Sequence, residues 1–358
     1  MYDGDDSMYE SALIVPLRGI KVRIRASGGW IHFPVGRLWR LMVSVAETRP
    51  VKTRTIRFHD YGEPLDVLRL EETELPDPGP DRIRVRVQAC GLNPADWALC
   101  RGLFPGNLPR GIGLDVSGTV DAIGEGVRDV AVGDAVLGPV EFAEAPLAGA
   151  SDFAILHHWT HRPAGLDPVQ AAALPMAVET AFRHLEALRL EAGHTILIHG
   201  AGTACGFAAV QMALQRGARV IATAGTTFAG RLRALGAEVT SYGDGMVERV
   251  LEIAGKSPDL VLDTAPASGV LPALIRIAGD PSHVLTISDF SAAKELGVRH
   301  SFGEAFTLRW EALGDFAQRA AEGKFTVPVN RTFPLEDWRS ALDLSQSYRA
   351  HGKLVLLP

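Results

Sequence analysis

From Thr55 onward the chain sets short apolar runs between breaks rich in Gly and Pro: Thr55–Phe58, Arg82–Ala89 and Gly118–Ile123. Runs of about four to eight residues bounded by turn formers predict the strands of a compact β-rich unit. Pro76, Pro78 and Pro80 punctuate the first loop, and Val132-Gly133-Asp134 predicts a turn before a strand at Ala135–Leu137. From Pro175 the period changes. Strands are predicted at Thr195–His199, Arg219–Ala222, Glu238–Ser241, Leu260–Asp263 and His283–Ile287, with a helix at Phe207–Arg216 closed by Gly217. Alternating β and α units imply a parallel, doubly wound sheet. The stretch from Trp310 returns to a mixed pattern and ends in an apolar strand, Lys353–Leu357. The expected fold class is α/β.

Residues 1–51 show no such period. They are Arg-rich and irregular, and fit either a flexible, disordered extension or residue from an upstream start codon, with Met42 an alternative start. The 358 residues exceed what one core usually supports, so two domains are expected. A formal charge of −6 gives no reason to expect nucleic acid or an anionic membrane as partner. No stretch approaches the roughly 20 apolar residues of a membrane helix. Asp3, Asp5 and Asp6 stand where a secretory signal carries a basic segment. Cys90, Cys100 and Cys205 are too few and scattered for a disulfide framework, which points to a reducing cytoplasm.

The most informative segment runs Thr195-Ile-Leu-Ile-His-Gly200-Ala201-Gly202-Thr203-Ala204-Cys205-Gly206-Phe207. An apolar strand enters a small-residue loop and then a helix, the context in which backbone N–H groups approach a pyrophosphate. The glycines at 200, 202 and 206 depart from the usual spacing, and ordinary turns also use Gly. The second strand ends in Thr223-Ala-Gly225-Thr-Thr, without the acidic residue that binds the ribose 2′-hydroxyl of NAD, and Arg231 and Arg233 follow. That combination favours the 2′-phosphate of NADPH, although both arginines also suit a solvated helix face.

At this point the chain resembles the zinc-independent quinone oxidoreductase branch of the medium-chain dehydrogenase/reductase superfamily. The matching stretches are Cys90-Gly-Leu-Asn93-Pro94-Ala-Asp96, Gly113-Leu-Asp115-Val-Ser-Gly118, Val132-Gly133-Asp134, Gly149-Ala-Ser-Asp-Phe-Ala, Ala171-Ala-Ala-Leu174-Pro175 with Thr180-Ala181, the cofactor loop, and His351-Gly352-Lys353-Leu-Val-Leu. The resemblance implies a GroES-like substrate domain over 52–175, completed by 310–358, and a Rossmann domain over 176–309, with the active site in the cleft between. It also implies homodimers paired through the strand near His283–Ile287. It places Asn93 and Thr180 near the nicotinamide, and Tyr242 and Arg349 at the cofactor phosphates. Plainer roles stand beside these: Asn93 capping a turn, Thr180 capping a helix, Tyr242 packing. Trp97-Ala98 and Thr203-Ala204 depart from the family's usual Tyr and Gly, which puts quinone itself in doubt as substrate.

Zinc-dependent relatives bind catalytic metal through a Cys near the first motif and a His-Glu pair downstream; here Asn93-Pro94 and Leu114-Asp115 stand there. A structural zinc site needs four close cysteines. His157, His158 and His161 lack a completing cysteine or carboxylate cluster. Without a Lewis acid, substrates that spread developing charge, quinones and α,β-unsaturated carbonyls, are favoured. Asn93 or backbone N–H groups would steady the resulting oxyanion. Loop Pro139–Ala148 is expected to shape the pocket. The residues four after Tyr61, Tyr242 and Tyr348 are Leu65, Met246 and Gly352, which excludes a short-chain Tyr-x-x-x-Lys pair. Two other functions stay open: an NADPH-binding, redox-sensing or interaction protein with little turnover, and a reductive domain acting on a biosynthetic intermediate.

Overall fold

A computed structural model describes residues 22–26, 29–33, 51–141, 145–302 and 307–358. Met1–Val51 and Lys52–Pro358 form separate units. In the first, Val22–Ala26 pairs antiparallel with Gly29–Phe33, Ala26 opposite Gly29. This corrects the expectation of an irregular segment: Val22-Arg-Ile-Arg-Ala alternates apolar and basic positions, a strand period in its own right. The rest of the expected extension, and Met42, lie outside the described residues.

In the second unit, the runs expected as β-rich pair into two sheets. The larger has seven strands: Thr160–His161, Ala135–Pro139, Asp115–Ile123, Ile83–Leu92, Lys353–Leu357 and Val329–Pro334 in order, with Phe153–Leu156 also on Ile83–Leu92. Arg69–Glu74, Lys52–Phe58 and Arg110–Gly111 make the smaller. Lys353–Leu357 lies between Ile83–Leu92 and Val329–Pro334, so four of its five residues are buried. Its antiparallel register sets Leu354 against Leu92 and Val355 against Gly91. The chain's last strand is thereby delivered to the end of Ile83–Leu92, immediately before Asn93.

The second half folds as expected. Six parallel strands run Glu238–Thr240, Arg219–Thr223, Thr195–His199, Leu260–Asp263, Val284–Thr286 and Arg299–His300. The sequence leaves the first strand in both directions, which opens a crevice at the carboxyl ends of the strands. Val284–Thr286, expected at a dimer edge, is not an edge: Arg299 and His300 pair outside it, with Leu285 and Thr286. Its outer backbone groups are already bonded.

Besides a cluster that packs Leu197, Ile221 and Val261 of the parallel sheet with Val250, Leu274 and Ile277, two larger cores serve these sheets. One gathers Ile198, Phe207, Val210, Leu232 and Leu262 with Val178 and Leu185; Phe316, Phe325 and Val327 join it. The other gathers Phe58, Val85, Leu99, Val116 and Leu137's neighbour Val136 with Trp338 and Leu356. The stretch after 310 thus divides, its earlier part packing with the parallel sheet and its later part with the β-rich layer.

Candidate functional site

The turn after Thr195–His199 owes its shape to glycines that tolerate no Cβ. Gly200 has φ +74°, and a Cβ there would lie 2.6 Å from Ala265 N. One on Gly206 would lie 2.5 Å from both Gly200 O and Thr264 Oγ1. Thr203 then caps helix Ala204–Gln215, its Oγ1 accepting from Gly206 N at 3.0 Å. The N–H groups of Gly200, Ala201 and Thr203 are spent inside the turn, on Thr223 Oγ1, Thr223 O and Gly200 O. Among the described residues, those of Gly202, Ala204 and Cys205 meet no protein acceptor. A helix start that keeps free, partly exposed N–H groups beside glycine is a fitting cradle for a pyrophosphate. Ala201 and Thr223, expected as cofactor contacts, bond to each other and to Gly200 within the turn, and both are fully buried. Thr223 Oγ1 also lies 2.8 Å from Nδ1 of His199, whose imidazole burial pushes down to about 4.

At the end of the next strand, Gly225 precedes helix Thr226–Leu235, and the Tyr242 hydroxyl approaches it closely enough to meet an added Cβ at 3.5 Å. Tyr242 is 60% exposed, so packing is not its role. No carboxylate stands at 223–227. Arg231 rides over the Phe207 ring at 5.2 Å, and Arg233 donates to Val239 O, so the loop itself takes no cation from either. Arg249 lies nearer Tyr242, donating to Ser241 O and Asp244 O. Arg349 is exposed on the turn before the last strand, with no hydrogen bond to residues 200–206 among the described residues.

Across from the cofactor turn sits a buried polar cluster. Asn93 is the N-cap residue of helix Pro94–Cys100, yet its side chain turns toward the sheet. Lys353 Nζ donates to Asn93 Oδ1 at 2.5 Å and to Asp115 Oδ2 at 2.7 Å, and Asn93 Nδ2 donates to Asp115 Oδ2 at 3.0 Å. The Lys353 and Asp115 side chains are 2% and 0% exposed. Asp115 Oδ1 accepts from Met176 N at 2.8 Å. That N–H opens helix Pro175–Ala187, whose N-cap Leu174 offers no side-chain cap, so a carboxylate from the sheet fills the place and suits the helix dipole. Thr180 lies within this helix and is not a cap. The Cys205 thiol links the two halves of the site. Burial pushes it up to about 11, against the pull of Lys353 and a hydrogen bond with Thr180.

Asp96 is the second buried carboxylate. It accepts from the N–H groups of Asn93, Gly113 and Leu114 at 2.7, 2.7 and 3.0 Å, and burial pushes it up to about 7 despite them. It is a brace for the loop carrying Asn93. The Asn93 amide is itself held at both ends; its one further contact, Nδ2 to Gly91 O, is long at 3.5 Å. Asn93 is thus oriented more than it is free to receive an oxyanion.

Positions 93, 114 and 115 supply an amide, a Leu and a carboxylate already paired to an ammonium group. That donor set does not fit a zinc ion, which wants thiolate, imidazole or free carboxylate. His157 pairs with Glu141 at 2.9 Å and His158 stacks near His157, both at the end of Phe153–Leu156; His161 lies on the neighbouring strand Thr160–His161. Within the loop expected to shape a pocket, Ala145, Leu147 and Ala148 are buried, and 142–144 lie outside the described residues. Sequence reading missed Asp115 and Lys353 as site members. A usable signal existed: a lysine opening an otherwise apolar strand has to find a partner if that strand is central.

Residues 79–159 match an alcohol dehydrogenase GroES-like domain, and residues 235–356 match a family described as zinc-binding dehydrogenase. A quinone oxidoreductase of Pseudomonas aeruginosa is 31% identical over 331 residues, 85% of this chain and 99% of that protein. An NADPH-dependent alkenal/one oxidoreductase of Arabidopsis thaliana chloroplasts is 28% identical, covering 86% of this chain and 80% of its own. The solved quinone oxidoreductase of Coxiella burnetii superposes with TM-score 0.72 at 27% identity, over 86% of this chain and all of that one. With its GroES-like segment, its parallel sheet and a relative matched from end to end, the chain belongs to the quinone oxidoreductase-like branch of the medium-chain dehydrogenase/reductase superfamily.

Proposed function

We propose that this oxidoreductase uses NADPH, without zinc, to reduce a quinone or an α,β-unsaturated carbonyl. The observation that carries the reading is the pairing of a free helix start at 202–205 with a buried Lys353–Asp115–Asn93 cluster that leaves no metal donor set. Gly202, Ala204 and Cys205 would hold the pyrophosphate, with Thr203 and Gly206 shaping the bend; Thr180 and Asn93 would border the nicotinamide. Tyr242 and Gly225, with no carboxylate near, would receive the 2′-phosphate, and Arg349 would approach the phosphates from the tail. When bound, the nicotinamide supplies a hydride. The protein's part is to hold the ring against the substrate and keep water away. Carbonyl charge would meet fixed N–H dipoles, and with every ionisable group at the cluster already paired, solvent would supply the proton.

The same reading assigns the substrate domain to 52–175 with 310–358, and the nucleotide domain to 176–309. It places the protein in the cytoplasm, consistent with three free cysteines, and as a homodimer whose sheets meet along Arg299–His300. No helix among the described residues is long and apolar enough to cross a membrane. Fluorescence titration with NADPH and NADH, followed by NADPH oxidation over a panel of quinones and short enones, tests the proposal. Tighter NADPH binding and turnover on the panel are expected. Equal or tighter NADH binding removes the cofactor assignment. Tight binding without oxidation favours a sensing role, and stoichiometric zinc would end the metal-free mechanism.

A further inference from the structure

We propose that Lys353 is a positioning residue that acts through Asn93, its ammonium group fixing the orientation in which Asn93 meets the nicotinamide ring. The inference rests on the reading of this cleft as a nicotinamide site.

Three observations converge on it. First, Lys353 comes immediately before Leu354, which pairs with Leu92, and is itself paired with Val329 on the other side, so it stands beside Asn93 just past the end of Ile83–Leu92. A cation in that place has no path to water, and its two short bonds are its solvation. Second, an ammonium only donates. The contact at 2.5 Å therefore makes Oδ1 the inner atom of the Asn93 amide and turns Nδ2 toward Asp115. Without the charge, the amide is free to rotate, and Asp115 keeps only Nδ2 and Met176 N. Third, room for the lysine stem is made by Gly91, where a Cβ would lie 3.0 Å from Lys353 Cε and 2.1 Å from Ala172 O. Asp115 extends the effect, because its other oxygen holds the first turn of the helix bearing Thr180. One cation thus sets both residues that border the ring.

The test compares the wild-type protein with Lys353→Met, Lys353→Gln and Asn93→Ala, reading NADPH affinity, nicotinamide emission of the bound cofactor, and kcat and KM separately. With the pyrophosphate held at 202–205, the Kd for NADPH should stay within about threefold in all three. Lys353→Met should lose most of the change in emission on binding, and kcat should fall by about 10–100-fold at nearly constant KM. Asn93→Ala should behave alike, and the Asn93→Ala/Lys353→Met pair no worse than either alone. Lys353→Gln, a shorter neutral donor, should fall between. Wild-type emission and kcat in Lys353→Met, or losses that multiply in the pair, would overturn the proposal. Where Lys353→Met does not fold, Lys353→Gln decides on the same readouts: unchanged emission and kcat overturn it. A wild-type protein that binds no NADPH brings down the functional reading and this inference together; the variant pattern brings down only the inference.

Discussion

Replacing Gly206 with Ala strikes the cofactor turn at its backbone. The new Cβ would stand 2.5 Å from Gly200 O, 2.5 Å from Thr264 Oγ1 and 2.8 Å from Ala201 Cα. Two of the three are backbone, so relief cannot come from a rotamer. The helix start has to move off the turn by at least about 0.5 Å before the contacts become tolerable. Overpacking of this kind costs about 1–3 kcal/mol of stability. The same movement carries Gly202, Ala204 and Cys205 N–H away from the phosphate position. Hydrogen bonds to charged groups contribute about 1.5–3 kcal/mol each, and losing half of one such bond already approaches a tenfold change. Gly206→Ala should therefore raise the Kd for NADPH by at least about tenfold. Urea denaturation and fluorescence titration read the two effects separately. A variant with unchanged midpoint and Kd would show that the helix start does not bear the pyrophosphate.

Gly230→Ala is the counterpart. It sits mid-helix in Thr226–Leu235 with open space where a Cβ would go, so it should gain about 0.5–1 kcal/mol in denaturation with NADPH affinity intact. His199→Gln tests linkage. The folded imidazole is held down to about 4, below its unfolded value, so its contribution is present above about pH 6.5 and lost as pH falls toward 4. By pH 5 about 2 kcal/mol of it is gone, and the stability gap between wild type and variant should shrink by that amount between pH 8 and pH 5. A gap that stays constant would mean that the His199 imidazole takes up its proton in the fold as readily as in the unfolded chain. Glu179→Gln breaks a buried ion pair with Arg183, 2.6 Å, and weakens the acceptor of Arg309 N. A loss of about 3 kcal/mol is expected by thermal or chemical denaturation, and a near-neutral result would show that water already solvates the pair.

The strands of the parallel sheet were readable because each is an apolar run between turn formers; Thr195–His199 and Leu260–Asp263 match to the residue. The cofactor turn was readable for the same reason, since glycine leaves a mark wherever backbone must come close. What the reading of residues 200–206 missed was division of labour. Which N–H groups face outward depends on Thr223 and Thr203, partners fixed only by tertiary pairing. The edge of the parallel sheet was misplaced because Arg299–His300 is two residues long and carries no period. Asp115 and Lys353 escaped because the lysine at the head of an apolar strand signals that it needs a partner but not which one; the partner lies 238 residues away.

That long-range contact also governs how the closing strand docks. Side chains alternate faces along a strand, so sliding Lys353–Leu357 by one residue would send Lys353 to the opposite face. Asp115 would then be sealed in without a counter-charge, a penalty that apolar Leu-Val-Leu-Leu alone could never impose on a misaligned partner. The ion pair therefore works as a register key for the chain's closing strand, reaching across Ile83–Leu92 to the start of Asp115–Ile123.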